Sequence, residues 1–315
     1  MMEYTDRHFR FFARCLSKRV SLYTEMVTAP AILRGDKDRH LKYDSSEHPL
    51  ALQLGGSDPD ELGRCAKYAQ EWGYDELNLN VGCPSDRVQE GKIGACLLKE
   101  ASLVGDCVQA MLESCEMPVT IKTRIGVDDY DSLDELLSFI DQNVQRGCHY
   151  FTLHARKAWL QGLSPKENRT IPPLDYERVY QVKEHFPHIG IELNGGVERI
   201  EDMKKHLEKV DSIMLGRAAY ENPWLLSFLD ESLHGESSNC SKRSDIVAPI
   251  TDYIKQEIAL GTPVHRITRH LGGLFWGVPG AGKWRRCLAG FSGKTDLGVD
   301  IIAETACAID DVPSA

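Results

Sequence analysis

The sequence predicts an α/β protein: a parallel β/α barrel of the TIM (β/α)8 type that lacks its first strand, followed by a small C-terminal helical domain. Three observations lead there. Up to about residue 230, short β-rich runs alternate with amphipathic helical patterns, the signature of consecutive βαβ units and a parallel sheet. The chain has 315 residues and 42% hydrophobic content, enough for one large barrel with a sizeable core and an appended domain. After Asp230 the alternation stops, and only helical periodicity resumes.

The elements follow in order. The chain opens at Met1-Met2 directly before a helix-like run, Asp6–Lys18. Strand candidates are Ser21–Val27, Leu50–Leu54, Glu76–Val81, Pro118–Arg124, Tyr150–Ala155, Gly190–Asn194 and Ser212–Leu215, with interiors largely of Val, Ile and Leu. Seven is one short of a closed barrel of eight, so a first strand is expected to be missing. Helices between them have legible ends: Ser57 or Asp58 caps a helix from Pro59, Leu62, Cys65, Ala69 and Trp72 face one side, and Gly73 stops it. The barrel is expected over residues 1–230. Residues 231–244 are polar and aperiodic and predict a linker. A helical domain is expected over 245–315: Ile246, Ile250, Tyr253, Ile254 and Ile258 recur at helical spacing, and Thr262-Pro263 starts a helix carrying Val264, Ile267, Leu271 and Leu274.

Composition excludes several classes. No run approaches the roughly 18 to 20 apolar residues of a membrane-spanning helix, and no charged-then-apolar leader precedes Tyr4, so a chain of the cytoplasm or an organelle interior, not attached to a membrane, is expected. The ten cysteines form no Cys-x-x-Cys pair and no Cys/His cluster at zinc spacing, which predicts reduced thiols and no metal. The net charge of -10 by itself argues against nucleic acid. Residues 245–290, however, hold six basic side chains (Lys255, Arg266, Arg269, Lys283, Arg285, Arg286) against three acidic ones. That asymmetry fits a local polyanion contact or a solvated helical face.

In β/α barrels the site lies at the C-terminal ends of the strands. Those ends supply Gln53, Asn78, Asn80, Lys122, Arg124, His154 and Asn194, with Cys83 just beyond. Asn194-Gly195-Gly196 and Gly216-Arg217 follow the last two strands, where barrels commonly hold a phosphate on backbone N–H groups; two tight turns explain the same glycines. Lys122 at the end of a buried strand calls for an anionic partner, either a reduced flavin edge or a buried carboxylate. His154 can donate to a phosphate or ring carbonyl, or be a satisfied core histidine. Gln53 offers a donor and an acceptor to a pyrimidine-like edge. Cys83 lies between Gly82 and Pro84, in a loop at the mouth where a thiol can act on a bound base, and the run to Gly91-Lys92-Ile93-Gly94 has glycines suited to a mobile lid.

Taken together, these motifs resemble the tRNA-dihydrouridine synthases, and within them the branch acting on two adjacent D-loop uridines. The residues carrying the likeness are Thr5-Asp6-Arg7, Tyr23-Thr24-Glu25-Met26, Gln53-Leu54-Gly55-Gly56, Asn78-Leu79-Asn80-Val81-Gly82-Cys83-Pro84-Ser85, Lys122-Thr123-Arg124, His154-Ala155-Arg156-Lys157, Ser164-Pro165-Lys166-Glu167-Asn168-Arg169, Asn194-Gly195-Gly196 and Gly216-Arg217. Trp284-Arg285-Arg286 resembles the branch in the helical domain.

The resemblance implies an FMN-bearing barrel, reduced by NADPH, and a helical domain that helps grip tRNA. It implies hydride delivery to uracil C6 with Cys83 protonating C5, after the base has left its stack. FMN-binding positions carried over are Gln53, Lys122, His154, Asn194, Gly195, Gly196, Gly216 and Arg217. The tRNA-contacting ones are Asn80, Lys166, Arg169, Arg285 and Arg286. The enzyme is expected to be a monomer. The family begins with a strand running into a proline-methionine element under the flavin, and this chain opens at Met1-Met2, inside that element; the exposed edge is expected to weaken stability and flavin retention. Two rivals remain: an FMN barrel acting on a free pyrimidine, and a tRNA-binding protein without catalysis.

Overall fold

The computed structural model describes residues 1–85, 91–291 and 298–311. They divide into two compact units. One comprises residues 23–43 and 48–216; the other collects residues 1–22, residues 44–47 and the chain from Arg217 onward.

The first unit is built on a parallel sheet whose strands are β1 (Leu22–Tyr23), β2 (Val27–Thr28), β3 (Leu50–Gly55), β4 (Glu76–Val81), β5 (Val119–Arg124), β6 (Tyr150–His154), β7 (Gly190–Asn194) and β8 (Ser212–Met214). From β3 to β8 each pairs with the next, and the path ends on β1 and β8. Helices between the strands give the sequential β/α winding of the TIM class. The expected strand Ser21–Val27 is two short ones. Between them Thr24 turns inward, its amide donating to Ala51 O and its hydroxyl taking the Gln53 N–H, each at 3.0 Å.

The helix Pro59–Trp72 shows why the helices form where they do. Asp58 Oδ1 accepts the Glu61 N–H at 2.9 Å, Pro59 sits where its missing N–H costs nothing, and Gly73 ends the helix at φ 82°. Its apolar stripe (Leu62, Cys65, Ala66, Ala69) is wholly buried. Later helices repeat the device, with a Ser132/Glu135 capping box starting Leu133–Gln145.

Strand alternation then divides the sheet chemically. Leu52, Leu54, Leu77, Leu79, Val81, Ile121, Phe151, Leu153, Ile191 and Leu193 are all fully buried and lie at odd or even positions that share the helix-covered face. The other face is polar: Gln53, Glu76, Asn78, Asn80, Thr120, Lys122, Thr152, Glu192, Asn194 and Ser212. The expected Val/Ile/Leu interior thus describes one face only. The polar face is satisfied by its own hydrogen bonds: Thr120 Oγ1 and Tyr23 OH donate to Glu76 Oε1 at 2.7 and 2.9 Å, and Thr152 Oγ1 donates to Glu192 Oε2 at 2.7 Å. Burial raises the pKa of both carboxyls.

The second unit draws its parts from both ends of the sequence. The helix Arg7–Leu16, capped by Asp6, is fixed to the C-terminal region by charge: Arg7 forms a bidentate pair with Glu257 at 2.6 and 2.5 Å, and His270 Nε2 meets Asp6 at 3.0 Å. Phe11 stacks on Tyr253 at 4.0 Å. Asp230, 2% exposed, takes the Ser17 hydroxyl and the Lys18 N–H. The helix Arg7–Leu16 therefore groups with the C-terminal region, and the boundaries expected near residues 230 and 245 do not coincide with the edges of the units. Nor is 231–244 wholly aperiodic, because the helix Leu229–His234 runs into it before Gly235 stops it at φ 69°. Val247–Ala259, Val264–Thr268 and Ala281–Ala289 follow. A last helix, Ile301–Asp310, buries Ile302, Ala306 and Ile309. No helix among the described residues is long and apolar enough to cross a membrane.

Candidate functional site

At the C-terminal ends of β3 and β4, three amides form one chain. Gln53 Nε2 donates to Asn78 Oδ1 at 2.8 Å, Asn78 Nδ2 to Thr120 Oγ1 at 2.8 Å, and Asn80 Nδ2 to Gln53 Oε1 at 2.9 Å. Asn78 is completely buried with both ends of its amide engaged, so it is part of the wall and not a contact for a base. Asn80 Oδ1 accepts the N–H groups of Gly82 and Cys83 at 3.2 and 3.0 Å, and thereby sets the loop that carries the thiol. Gln53 keeps one N–H and one lone pair beyond these bonds.

Cys83 is partly accessible and packs against Met26 and Ile93. Its carbonyl takes the Ala95 N–H at 2.9 Å, and a Cβ at Gly82 would stand 3.3 Å from the Thr123 backbone. The run expected to form a lid falls partly on residues 86–90, outside the described residues. From Ile93 onward it is packed down, with Ile93, Ala95 and Leu97 buried.

Lys122 and Asn194 meet on the same polar face: Lys122 Nζ donates to Asn194 Oδ1 at 2.9 Å, and Asn194 Nδ2 to Met214 O at 2.8 Å. Among the described residues no carboxylate pairs with Lys122, and Glu192 acts on it only through its field. Burial, then the nearby Arg124 cation, pushes the ammonium down to about 8, with Glu192 and Cys83 pulling the other way. Arg124 is 4% exposed and is held by three carbonyls: Nε donates to Gly82 O, and Nη1 to Lys157 O and Asn168 O, all at 3.0 Å. Burial brings it down to about 10; Cys83 favours its charge, while Arg169 and Arg156 oppose it.

The glycines after β7 have a geometric reason. Gly195 and Gly196 lie at φ 111° and 73°, and a Cβ on Gly195 would come within 2.5 Å of the His154 ring. His154 thus sits against the Gly195 backbone, whose carbonyl takes the Tyr176 hydroxyl at 2.9 Å. Gly216 lies two residues beyond β8. Arg217, exposed, opens the helix Arg217–Glu221 in the other unit.

Lys166 and Arg169 are exposed on the long connection after β6. In the other unit Arg285 and Arg286 are exposed on Ala281–Ala289, anchored by fully buried Trp284, whose Nε1 donates to Leu271 O at 2.7 Å. Arg285 borders a cavity of about 150 Å³ shared with His265 and Arg269.

Sequence reasoning missed the roles of Arg124, Asn168, Tyr176 and Glu192. Arg124 and Asn168 stood inside the motifs, but the carbonyls that Arg124 binds are distant in sequence, and Glu192 could have been found as the one acidic residue of its strand.

The site fits a flavin. A largely buried cation whose one hydrogen-bond acceptor among the described residues is a neutral amide suits an anionic ring edge. The left-handed Gly195-Gly196 turn, which a Cβ would fill, suits close backbone approach to a phosphate. Among the described residues no three His, Cys, Asp or Glu side chains are grouped to hold a metal.

Comparison with known proteins agrees. The profile of the family described as Dihydrouridine synthase (Dus) matches residues 1–310. The tRNA-dihydrouridine(20/20a) synthase of Vibrio parahaemolyticus serotype O3:K6 is 52% identical over 310 residues, covering 98% of this chain and 95% of the relative. Its counterpart in Escherichia coli strain K12 is 52% identical over 303 residues, covering 96% and 88%. Morphinone reductase superposes with a TM-score of 0.50 at 14% identity, over 78% of this chain and 85% of that one, a likeness of fold. The chain therefore belongs to the dihydrouridine synthase family of flavin-dependent oxidoreductases.

Proposed function

We propose that this chain is a tRNA-dihydrouridine(20/20a) synthase that uses FMN and NADPH to reduce D-loop uridines to 5,6-dihydrouridine. The observation that carries the reading is the single hydrogen-bonded chain from Gln53 through Asn80 to the Cys83 amide, with Lys122 on the same polar face. It ties the candidate proton donor to the candidate flavin edge in fixed register.

Lys122 would hold the N1–C2=O edge of FMN, with Gln53 and Asn194 beside it, and His154, Gly195, Gly196, Gly216 and Arg217 would hold its phosphate. Bound flavin supplies the two electrons that saturate the pyrimidine 5,6 bond. Cys83 gives its thiol proton to C5 and is left as a thiolate. That anion lies in the field of Lys122 and Arg124, both of which a Cys83 negative charge favours. Asn80 keeps the loop in place while the proton moves. Lys166, Arg169, Arg285 and Arg286 would meet tRNA phosphates, and the extruded base would recover stacking on the flavin.

The test follows flavin absorbance in one cuvette: reduction by NADPH, then reoxidation on adding unmodified tRNA. Reoxidation under anaerobic conditions only with tRNA supports the reading; reoxidation by free uracil or uridine instead supports a free-pyrimidine reductase. Cys83→Ala is expected to keep the flavin and its NADPH reduction but lose most dihydrouridine formation. Undiminished product from that variant would remove Cys83 from its role.

A further inference from the structure

The connection between β6 and the helix Tyr176–His185 is long for a compact domain and contains one short turn of helix, Glu167–Arg169. It is nonetheless built rigidly around one residue, Trp159. Asn168, wholly buried, accepts the Trp159 N–H on Oδ1 and donates Nδ2 to the Trp159 carbonyl, each at 2.8 Å. The next residue is tied too, since Leu160 N donates to Asp128 Oδ1 at 2.9 Å. Lys157 lies 4.2 Å over the indole centroid and is itself fixed to Asp131 Oδ2 at 2.8 Å.

This fixed residue leaves part of its side chain exposed. Trp159 is 37% exposed, and its indole N–H has no partner among the described residues. A loop that needed Trp159 only for packing would gain by burying it, because an indole carries a large apolar area. The backbone clamp does the reverse: it holds an exposed aromatic ring still. The same connection presents Lys166 and Arg169 to solvent, and Lys157 lies over the ring. A flat apolar ring on a connection that also carries exposed cations suits a ligand that is flat and carries phosphates, which is a nucleotide base in a strand.

Register with the reaction site comes from Arg124. Its guanidinium binds Gly82 O, next to Cys83, and also Lys157 O and Asn168 O, at the two ends of the Trp159 clamp. The thiol loop and the indole are therefore two arms of one buried cation. We propose that Trp159 is a stacking platform for an unpaired tRNA base that neighbours the uridine drawn into the strand-end site. Drawing one base out of a loop unstacks its neighbour, and an immobile indole restores that lost stacking. The inference rests on the tRNA reading above and adds a residue to it that takes the substrate by a base instead of by phosphate.

The experiment uses the full flavin-loaded chain and an unmodified tRNA transcript. Trp159→Ala and Trp159→Leu are expected to weaken tRNA binding roughly five- to hundredfold, the range for loss of one base–aromatic stack. Trp159→Phe and Trp159→Tyr are expected to recover most of it. The slope of log Kd against log salt stays at the wild-type value, because no phosphate contact is lost. Independently, tRNA quenches a fluorescence component in the wild type that is missing from Trp159→Phe. Equal binding by all four variants, or a quench that Trp159→Phe retains in full, overturns the platform. So does a Leu variant that binds as well as Phe, since packing and not stacking would then be the role. If the wild type itself neither binds tRNA nor is reoxidised by it, the function reading falls and the platform with it; if the wild type does both and Trp159→Ala equals it, only the platform falls.

Discussion

Lys122→Met should make the flavin-free protein more stable at neutral pH while it impairs the flavin site. The reasoning starts from the cation's position on the polar face, where it retains some accessible surface but is solvated by one neutral amide oxygen. Its pKa is brought from the ordinary 10.5 to about 8, chiefly by burial. That displacement corresponds to about 3 kcal/mol favouring the uncharged amine in the folded state. Removing Lys122 also leaves Asn194 Oδ1 without its donor, a loss of about 1 kcal/mol. The net gain expected below pH 8 is about 2 kcal/mol. Glu192, whose carboxyl burial already raises, loses a favourable charge and responds by holding its proton more tightly.

The pH dependence gives the sign. A folded-state pKa below the unfolded one means that the unfolded chain binds more protons between about pH 8 and 10.5, so the lysine's contribution to stability rises with pH across that window. The penalty is fully present below pH 8 and gone above 10.5. Urea unfolding of flavin-free wild type and Lys122→Met, followed by tryptophan fluorescence at pH 7 and pH 10, isolates it, because tyrosines and thiols titrate alike in both proteins. The variant should unfold at higher urea at pH 7, and the gap should close or reverse by pH 10. Its FMN affinity should fall at least tenfold at pH 7, as expected when a charge-assisted contact is lost. A variant less stable than wild type at pH 7, with a pH-independent gap, would refute the idea that this cation is held against a solvation penalty for the sake of a ligand.

Two further outcomes are expected in the unit that contains the helical region. Arg285→Ala with Arg286→Ala should weaken tRNA binding and reduce the salt slope by roughly 1 to 2, as phosphate contacts are lost, and an unchanged slope in a filter-binding series would count against a tRNA contact there. Glu47→Ala should destabilise by roughly 3 to 5 kcal/mol, because it strands Arg10, 5% exposed and paired to Glu47 at 2.5 Å. Glu47→Ala combined with Arg10→Met should recover much of that loss in thermal unfolding, and failure to recover would mean that the pair does more than neutralise itself.

Local rules account for what the sequence made legible. Caps and stops such as Asp58, Ser132 and Gly73 act within four residues, so helix boundaries can be read from them. Strands from Leu50 onward were visible because one face of each is apolar. The split of Ser21–Val27 was not, since it depends on a Thr24 hydroxyl reaching Gln53 on the next strand. Membership of the first helix in the second unit was equally hidden, because the Arg7–Glu257 and Asp6–His270 contacts join residues more than 240 positions apart. In the last helix, Ile302, Ala306 and Ile309 do show helical spacing, but small and acidic neighbours dilute the signal.

The polar face of the sheet explains why the site was only half legible. Each of Gln53, Asn80, Lys122, His154 and Asn194 can be picked out as a polar residue at a strand end, yet chemical type does not say which of them spends its hydrogen bonds on its neighbours. Asn78 and Asn80 are two positions apart on one strand and chemically identical, but Asn78 closes onto Gln53 and Thr120 within the wall, whereas Asn80 reaches the Cys83 amide. The difference arises from register across β3, β4 and β5, which places Gln53 opposite Asn78 and Lys122 opposite Asn80. Arg124 follows the same logic with larger effect. Its type and its place at a strand end do not say that three carbonyls from two loops take three of its five N–H donors, which fixes the guanidinium beside the thiol loop. On the proposed function, a fixed cation bound to both the thiol loop and the Trp159 connection would join proton delivery to grip on the substrate through one buried residue, and that coupling would reside in the fold and not in any motif.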